Sequence, residues 1–266
     1  MKRRSIGLGA LVLLALAAPA PSASAKPVVI GSPLEGEFRG GQVRGAGTYF
    51  NTTFAEPQAI RSSPVDGAII RFSILGGSGG PYRLRVLRPA GGGAYRAVAS
   101  TAALTFDGGP EPHFRAVRIQ KGDTVGLDLP AEGKIAALRT PESAYAAWAP
   151  PLPGDTPLAP TGSFSGIELG FNAVVLPQPT VSIVAPLSLP FDKGGEVRIH
   201  GKDFRRVKQV TFGRTSVRYR VVSESLILAF PRPRPHPQET QVRVLTEAGK
   251  SVAGPGSSIE FRPSRG

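Results

Sequence analysis

Along most of this chain apolar residues recur at every second position in short runs, and the runs end at Gly, Pro, Asn or Asp. "GAIIRFSILGG" (67–77), "YRLRVLR" (82–88), "FRAVRIQ" (114–120) and "TVGLDL" (124–129) carry this alternation. A period of two puts successive side chains on opposite faces of a strand, one toward a core and one toward water. In "YRLRVLR", Leu84 and Val86 are expected to face a core, and Arg83 and Arg85 water. Helical periodicity is nearly absent. The single stretch that allows a turn or two of helix is "TPESAYAAW" (140–148), where Thr140 can cap and Glu142 falls in the first turn. The chain is therefore read as all-β.

Punctuation divides it in two. "APPLPGDTPLAPTGS" (149–163) is too rich in proline to supply ladder donors and reads as a long surface loop. "GIELGFNAVVLP" (166–177) is expected to be the closing strand of a first domain. Pro177 and Pro179 then stiffen a short linker, with the boundary near Gln178. Residues 26–177 are expected to form a jelly-roll-like β-sandwich of about nine strands, and within it "VRIQKGDTVGLDL" is similar to a Gly-Asp hairpin of jelly-roll and carbohydrate-binding sandwiches. Residues 178–266 contain about seven short strands, at 180–185, 195–200, 208–212, 216–222, 226–230, 240–246 and 258–262. That density suits an immunoglobulin-like sandwich. Its expected core is Val181, Ile183, Val197, Ile199, Phe204, Val210, Phe212, Val217, Leu226, Leu228, Val242, Val244 and Phe261.

The second domain carries an ordered set of signals: "PTVSIVAPLSLPFDKGGEVRIHGKDFRRVKQVTFGRTSV", then "SESLILAFPRP", "QVRVLTEAGKS" and "IEFRP". A Pro-initiated strand, GG-x5-G-x-x-F, V-x-F-G, a strand ending in Pro, and V-x-V-x4-G-x-S follow in that order. This resembles the IPT/TIG family, the immunoglobulin-like domains of plexins and transcription factors. The resemblance covers about a third of the chain and implies a non-catalytic sandwich acting as a spacer, adhesion or dimerisation module. The DNA-contacting loops of the transcription-factor members are not recognisable here.

Composition narrows the setting. Lys2, Arg3 and Arg4, the apolar run Ile6 to Ala18 and the Ala23-Ser24-Ala25 pattern read as a secretory signal peptide over 1–25, of the general rather than the twin-arginine type. No apolar run is long enough for a transmembrane helix. Cysteine is absent, which excludes disulfides, thiolate metal sites and cysteine nucleophiles. Enrichment in Ala, Gly, Pro and Arg fits a GC-rich bacterial genome. The net charge of +13 is uneven: residues 177–266 hold 15 basic and 7 acidic groups, an excess of +8, against 14 and 12 in 26–176. A basic domain outside the cell can meet anionic wall polymers, anionic lipid, polysaccharide or nucleic acid.

Few residues carry chemistry. Ser78 in "GGSGG" (76–80) satisfies G-x-S-x-G, but a proline and a strand follow where a hydrolase needs a helix. His113, His200 and His236 are too far apart in sequence to suggest a metal site. Asp66, Asp107, Asp123 and Asp128 could contribute to calcium binding, and Glu111, Asp123 or Glu168 to an acid pair, though no spacing selects them. Asn51-Thr52-Thr53 is a glycosylation sequon. Two basic clusters stand out, "KDFRRVKQ" (202–209) and "FPRPRPHPQ" (230–238). Should they meet at one end of the sandwich, Arg205, Arg206, Lys208, Arg232 and Arg234 would bind phosphate or sulfate groups. For sugars the candidates include Tyr49, Tyr95, Tyr145 and Trp148, of which Trp148 and its neighbour Tyr145 rank first because Trp148 precedes a loop. Aromatic platforms beside the basic clusters are missing, which argues against specific nucleic-acid recognition. The expectation is a secreted or loosely surface-associated binding or adhesion module with no catalytic residues, cofactor or metal. Its expected partners are a wall or extracellular polysaccharide, a polyanion, or another surface protein.

Overall fold

The computed structural model describes residues 26–38, 41–105 and 115–264. Residues 1–25, expected to be a signal peptide, and Asp107, Glu111, His113 and Phe114 lie outside them. No helix among the described residues is long and apolar enough to cross a membrane.

Eleven of the described strands precede Gln178: β1 (Val28–Gly31), β2 (Gly41–Arg44), β3 (Gly47–Thr53), β4 (Gly67–Ile74), β5 (Arg83–Pro89), β6 (Tyr95–Ser100), β7 (Val117–Ile119), β8 (Thr124–Leu129), β9 (Lys134–Trp148), β10 (Gly162–Leu169) and β11 (Phe171–Pro177). They form two antiparallel sheets, β1-β11-β4-β7 and β10-β9-β3-β8-β5-β6, with β2 added on β9. Ile30, Ile69, Phe72, Phe171 and Val175 of the first sheet close one core against Tyr49, Leu84, Val86, Leu127 and Ile135 of the second. Leu84 and Val86 are buried, as the alternation requires. The pair β1–β11 encloses the others as in a jelly roll, whereas β3–β9 crosses β4–β11 and β4–β7 crosses β5–β8.

The stretch expected to turn helical is instead the second half of β9. Tyr145 and Trp148 are paired across strands there, and sheet packing outweighs the helix propensity of the alanines. β9 also cannot be straight. Arg44 pairs with Lys134 and Thr48 with Trp148. Four residues reach at most about 14 Å, while fourteen in a straight strand cover roughly 46 Å. The ribbon of β9 and β10 therefore folds through a corner between Arg139 and Ala144. Gly166, in the left-handed region at φ +76°, absorbs the bend in β10, where the register shifts between Ser165 and Ile167. The strand expected over 166–177 is divided at Gly170, so that β10 and β11 serve different sheets.

The second half contributes β12 (Thr180–Ala185), β13 (Ser188–Pro190), β14 (Val197–Lys202), β15 (Gln209–Phe212), β16 (Thr215–Ser216), β17 (Arg218–Ser223), β18 (Leu226–Phe230), β19 (Gln238–Thr246), β20 (Gly249–Lys250) and β21 (Ser258–Arg262). Its sheets are β12-β14-β18-β17 and β13-β21-β19-β15-β16, with β20 on β19. In chain order these reproduce the ABED and CFG sheets of the immunoglobulin fold. In place of a disulfide and tryptophan, Phe204, Phe212 and Phe261 fill the core with Val197, Ile199, Val210, Val242 and Val244.

Four expected core positions differ, Leu228 being one that is buried but lies outside the core cluster. A register shift between Val181 and Ile183 turns Ile183 outward, 48% exposed, and sends Val184 in. On β18 the phase is one residue off, so Ile227 and Ala229 enter the core and Leu226 is half-buried. Val217, just before β17, is also half-buried. The glycine of the motif at position 201 has a steric reason. A Cβ there would lie 1.9 Å from the Thr180 carbonyl oxygen and 2.5 Å from the Phe204 ring. The stretch 194–204 thus builds the sandwich. Between the two sandwiches, Ala248 packs on Ala68 and Leu176, and the Gln178 side chain donates to the Lys250 carbonyl.

Candidate functional site

The far end of the second sandwich carries a groove of about 540 Å³ lined by Thr215, Ser216, Val217, Arg218, Phe230, Arg232, Pro233 and Arg234. Sequence shapes it locally. Prolines at 231, 233, 235 and 237 hold the segment after β18 extended, and the Arg234 amide donates to the Phe191 carbonyl at 2.5 Å to anchor it. Arg234 is itself pinned. Its Nη1 donates to Thr215 Oγ1 at 2.9 Å and its Nη2 to the Phe212 carbonyl at 3.3 Å, with the guanidinium 5.2 Å above the Phe261 ring. Arg218 lies over Phe230 at 5.3 Å. Arg232 is exposed. Among the described residues no carboxylate lines the groove. Three guanidiniums, two of them held by aromatic faces, form a fork array suited to oxyanions.

The other basic cluster is elsewhere. Phe204 binds the Glu224 carbonyl before β18 begins, and Arg232 follows after it ends. The five residues of β18 separate the clusters by roughly 15 Å. The expectation of one joint site is therefore corrected: Arg205, Arg206 and Lys208 sit at the end facing the first sandwich. There Arg205 pairs with Glu224 and Arg206 with Glu247, each at 2.8 Å, while Lys208 is exposed at the start of β15. Arg218, which the sequence reading missed, joins Arg232 and Arg234 because β17 and β18 pair side by side.

The sugar candidates separate likewise. Trp148 is fully buried, stacked on Phe50 at 5.3 Å, edge-on to Tyr95, with Nε1 donating to the Leu158 carbonyl at 3.2 Å. The proline-rich segment lies over it, Leu152 being buried and Leu158 bridged to Tyr95. This corrects the reading of Trp148 as a surface platform. Tyr145 is also buried, but it stacks on Phe164, which is 47% exposed and was not singled out from sequence.

Most candidate carboxylates already have partners. Asp123 takes Arg88 through both oxygens at 2.7 and 2.9 Å, and Asp128 takes Arg85 at 2.7 Å and Thr48 at 2.6 Å. Asp66 accepts from the Lys121 amide. Asn51 of the sequon is buried, its amide satisfying both the N–H and the carbonyl of Leu169, which leaves no acceptor site for a glycan. Ser78 is bridged to Lys134 in a loop that leads into β5. Among the described residues no group of three or more His, Cys, Asp or Glu side chains could hold a metal ion.

Glu168 is the exception among these carboxylates. It is fully buried inside the β9–β10 corner. Burial pushes its carboxyl up to about 7, helped by the charge of nearby Glu56 and opposed by the hydroxyls of Ser32 and Ser143. Glu168 Oε1 and Glu56 Oε2 are buried and receive no donor. Burial favours the protonated form of Glu168, which carries a donor of its own. The arginine groove does not include Glu168.

No known protein family matches the chain, and no curated protein matches it. Among solved structures it is similar to the full extracellular region of plexin A4, at 13% identity and a TM-score of 0.29, over 75% of this chain and 18% of that one. It is also similar to SGBP-B from a complex xyloglucan utilization locus in Bacteroides uniformis, at 18% identity and a TM-score of 0.26, over 76% of this chain and 47% of that one. The chain spans less than half the length of either. Likenesses of this size assign neither a family nor a ligand.

Proposed function

We propose that this protein is a secreted, non-catalytic binding module that holds anionic groups of an extracellular or envelope polymer in the arginine groove of its second sandwich. The observation that carries the reading is the convergence of Arg218, Arg232 and Arg234 on one groove without a lining carboxylate. The excess positive charge of residues 177–266 supports it by drawing polyanions toward that domain. So does the resemblance to IPT/TIG sandwiches, which implies a binding rather than a catalytic role.

Heparin serves as a sulfated probe. The native chain is expected to elute from a heparin column only at raised salt, with binding that weakens as ionic strength increases. An Arg218→Ala/Arg232→Ala double variant should bind about thirtyfold more weakly, because each removed cation costs roughly 1 kcal/mol in a partly exposed site. Arg206→Ala/Lys208→Ala, at the opposite end, should bind nearly as the native chain does. Equal losses in both doubles would mean diffuse charge attraction and would end the proposal of a defined site. Arg234 is left intact in this test, since its bonds to Thr215 and Phe212 also hold the fold.

A further inference from the structure

The folded β9–β10 ribbon leaves a second groove, in the other sandwich and independent of the arginine groove. Its volume is about 420 Å³. One wall is β2, where Gln42 and Arg44 face outward and Arg44 Nη2 donates to Gln42 Oε1 at 3.4 Å. The opposite wall is the outer arm of β9 and β10. There Phe164 stands directly across from Tyr145, the rings 4.7 Å apart and 18° from parallel. Tyr49 continues the row, 6.3 Å from Tyr145.

Exposure climbs along that row, from 8% at Tyr49 and 7% at Tyr145 to 47% at Phe164. The two tyrosines belong to the core, and Phe164 is an open aromatic face stacked on a rigid base. Gly162 keeps the space beside it clear, since a Cβ there would lie 3.1 Å from the ring. The groove is about as large as one turn of helix, so a helical or sheet partner would rest mostly outside it. An apolar face with a few oriented polar groups is the composition of a small-ligand site. Here the polar groups are a planar amide and a planar guanidinium, whose paired donors match neighbouring hydroxyls. No carboxylate lines the groove to demand a cationic ligand.

We infer that this groove binds a neutral saccharide, one pyranose ring stacking its C–H face on Phe164 while its hydroxyls meet Gln42 and Arg44. The site is separate from the anion groove, and the two assign different chemistry to the two sandwiches.

Affinity electrophoresis of the full chain in gels containing hydroxyethylcellulose, laminarin, xylan, galactomannan or starch tests it. At least one of these should retard the native chain, and Phe164→Ala should weaken that binding at least tenfold. Phe164→Trp should retain binding, and its added indole should change emission when the retarding polysaccharide is titrated in. Arg218→Ala/Arg232→Ala should bind as the native chain does, which separates this site from the anion groove. The inference is overturned if none of the five retards the native chain, or if Phe164→Ala binds as tightly. It is equally overturned if Phe164→Ala converts a dimer to a monomer in sedimentation, because the open ring would then be a protein contact.

Discussion

At pH 8 the Glu168→Gln variant should unfold at a higher denaturant concentration than the native chain, and the advantage should vanish by pH 5. Glu168 has a folded-state value of about 7 against an ordinary value of 4.5. Between those two pH values the unfolded chain has released a proton that the folded chain still holds, so native stability falls as pH rises across that window. Its contribution is complete below pH 4.5 and gone above pH 7. The difference of some 2.5 pH units corresponds to about 3 kcal/mol at most. Glutamine keeps the size of the side chain and offers Glu56 a permanent N–H donor in place of the titrating proton. Denaturant midpoints followed by circular dichroism from pH 4 to pH 9 would measure this. Parallel pH dependence in the two proteins would sink the reading of Glu168 as a carboxyl that burial keeps protonated.

The second large effect belongs to Trp148→Ala, expected to cost about 3–5 kcal/mol, as truncation of a large buried aromatic does. Trp148 packs among three groups that also touch one another: Phe50 of the sheet, Tyr95 of β6 and the covering segment through Leu158. Its loss leaves a void under residues 149–161, a segment that the backbone bonds of Leu158 to Tyr95 and of Ala97 to Gly154 still tie to the sheet. An exposed platform would instead tolerate alanine within about 0.5 kcal/mol. Chemical denaturation of the two proteins separates these outcomes. Because Trp148 is the single tryptophan, its emission in the native chain reports the same transition without labelling.

What was legible in the sequence followed from local rules. Alternation located most strands and put Leu84, Val197, Phe212 and Val244 inside. The prolines flanking Arg232 and Arg234 announced an extended arm that displays cations. Failures arose where a neighbour strand decided. Ile183 looks inward by its own period, but a register shift against β14 reverses it. "TPESAYAAW" satisfies helix rules by itself and becomes strand because β3 and β10 flank it. Ala146 and Trp148 face one side of the sheet while Tyr145 and Ala147 face the other.

The candidate sites were less legible, since each joins residues remote in the chain. Arg218 reaches Arg232 only through the β17–β18 ladder, and Phe164 reaches Tyr145 only through the β9–β10 ribbon. Glu56 and Glu168 have no spacing that could have paired them. The sequence by itself determined the all-β character, the immunoglobulin-like pattern of the second half and the excess of positive charge there, because period, turn residues and composition are local properties. Tertiary structure alone decided which aromatic ring stays open, which arginines converge and which carboxyl loses its water. Those depend on strand register and on a bend in one ribbon, and a one-residue shift in either moves a side chain from one face of the sheet to the other.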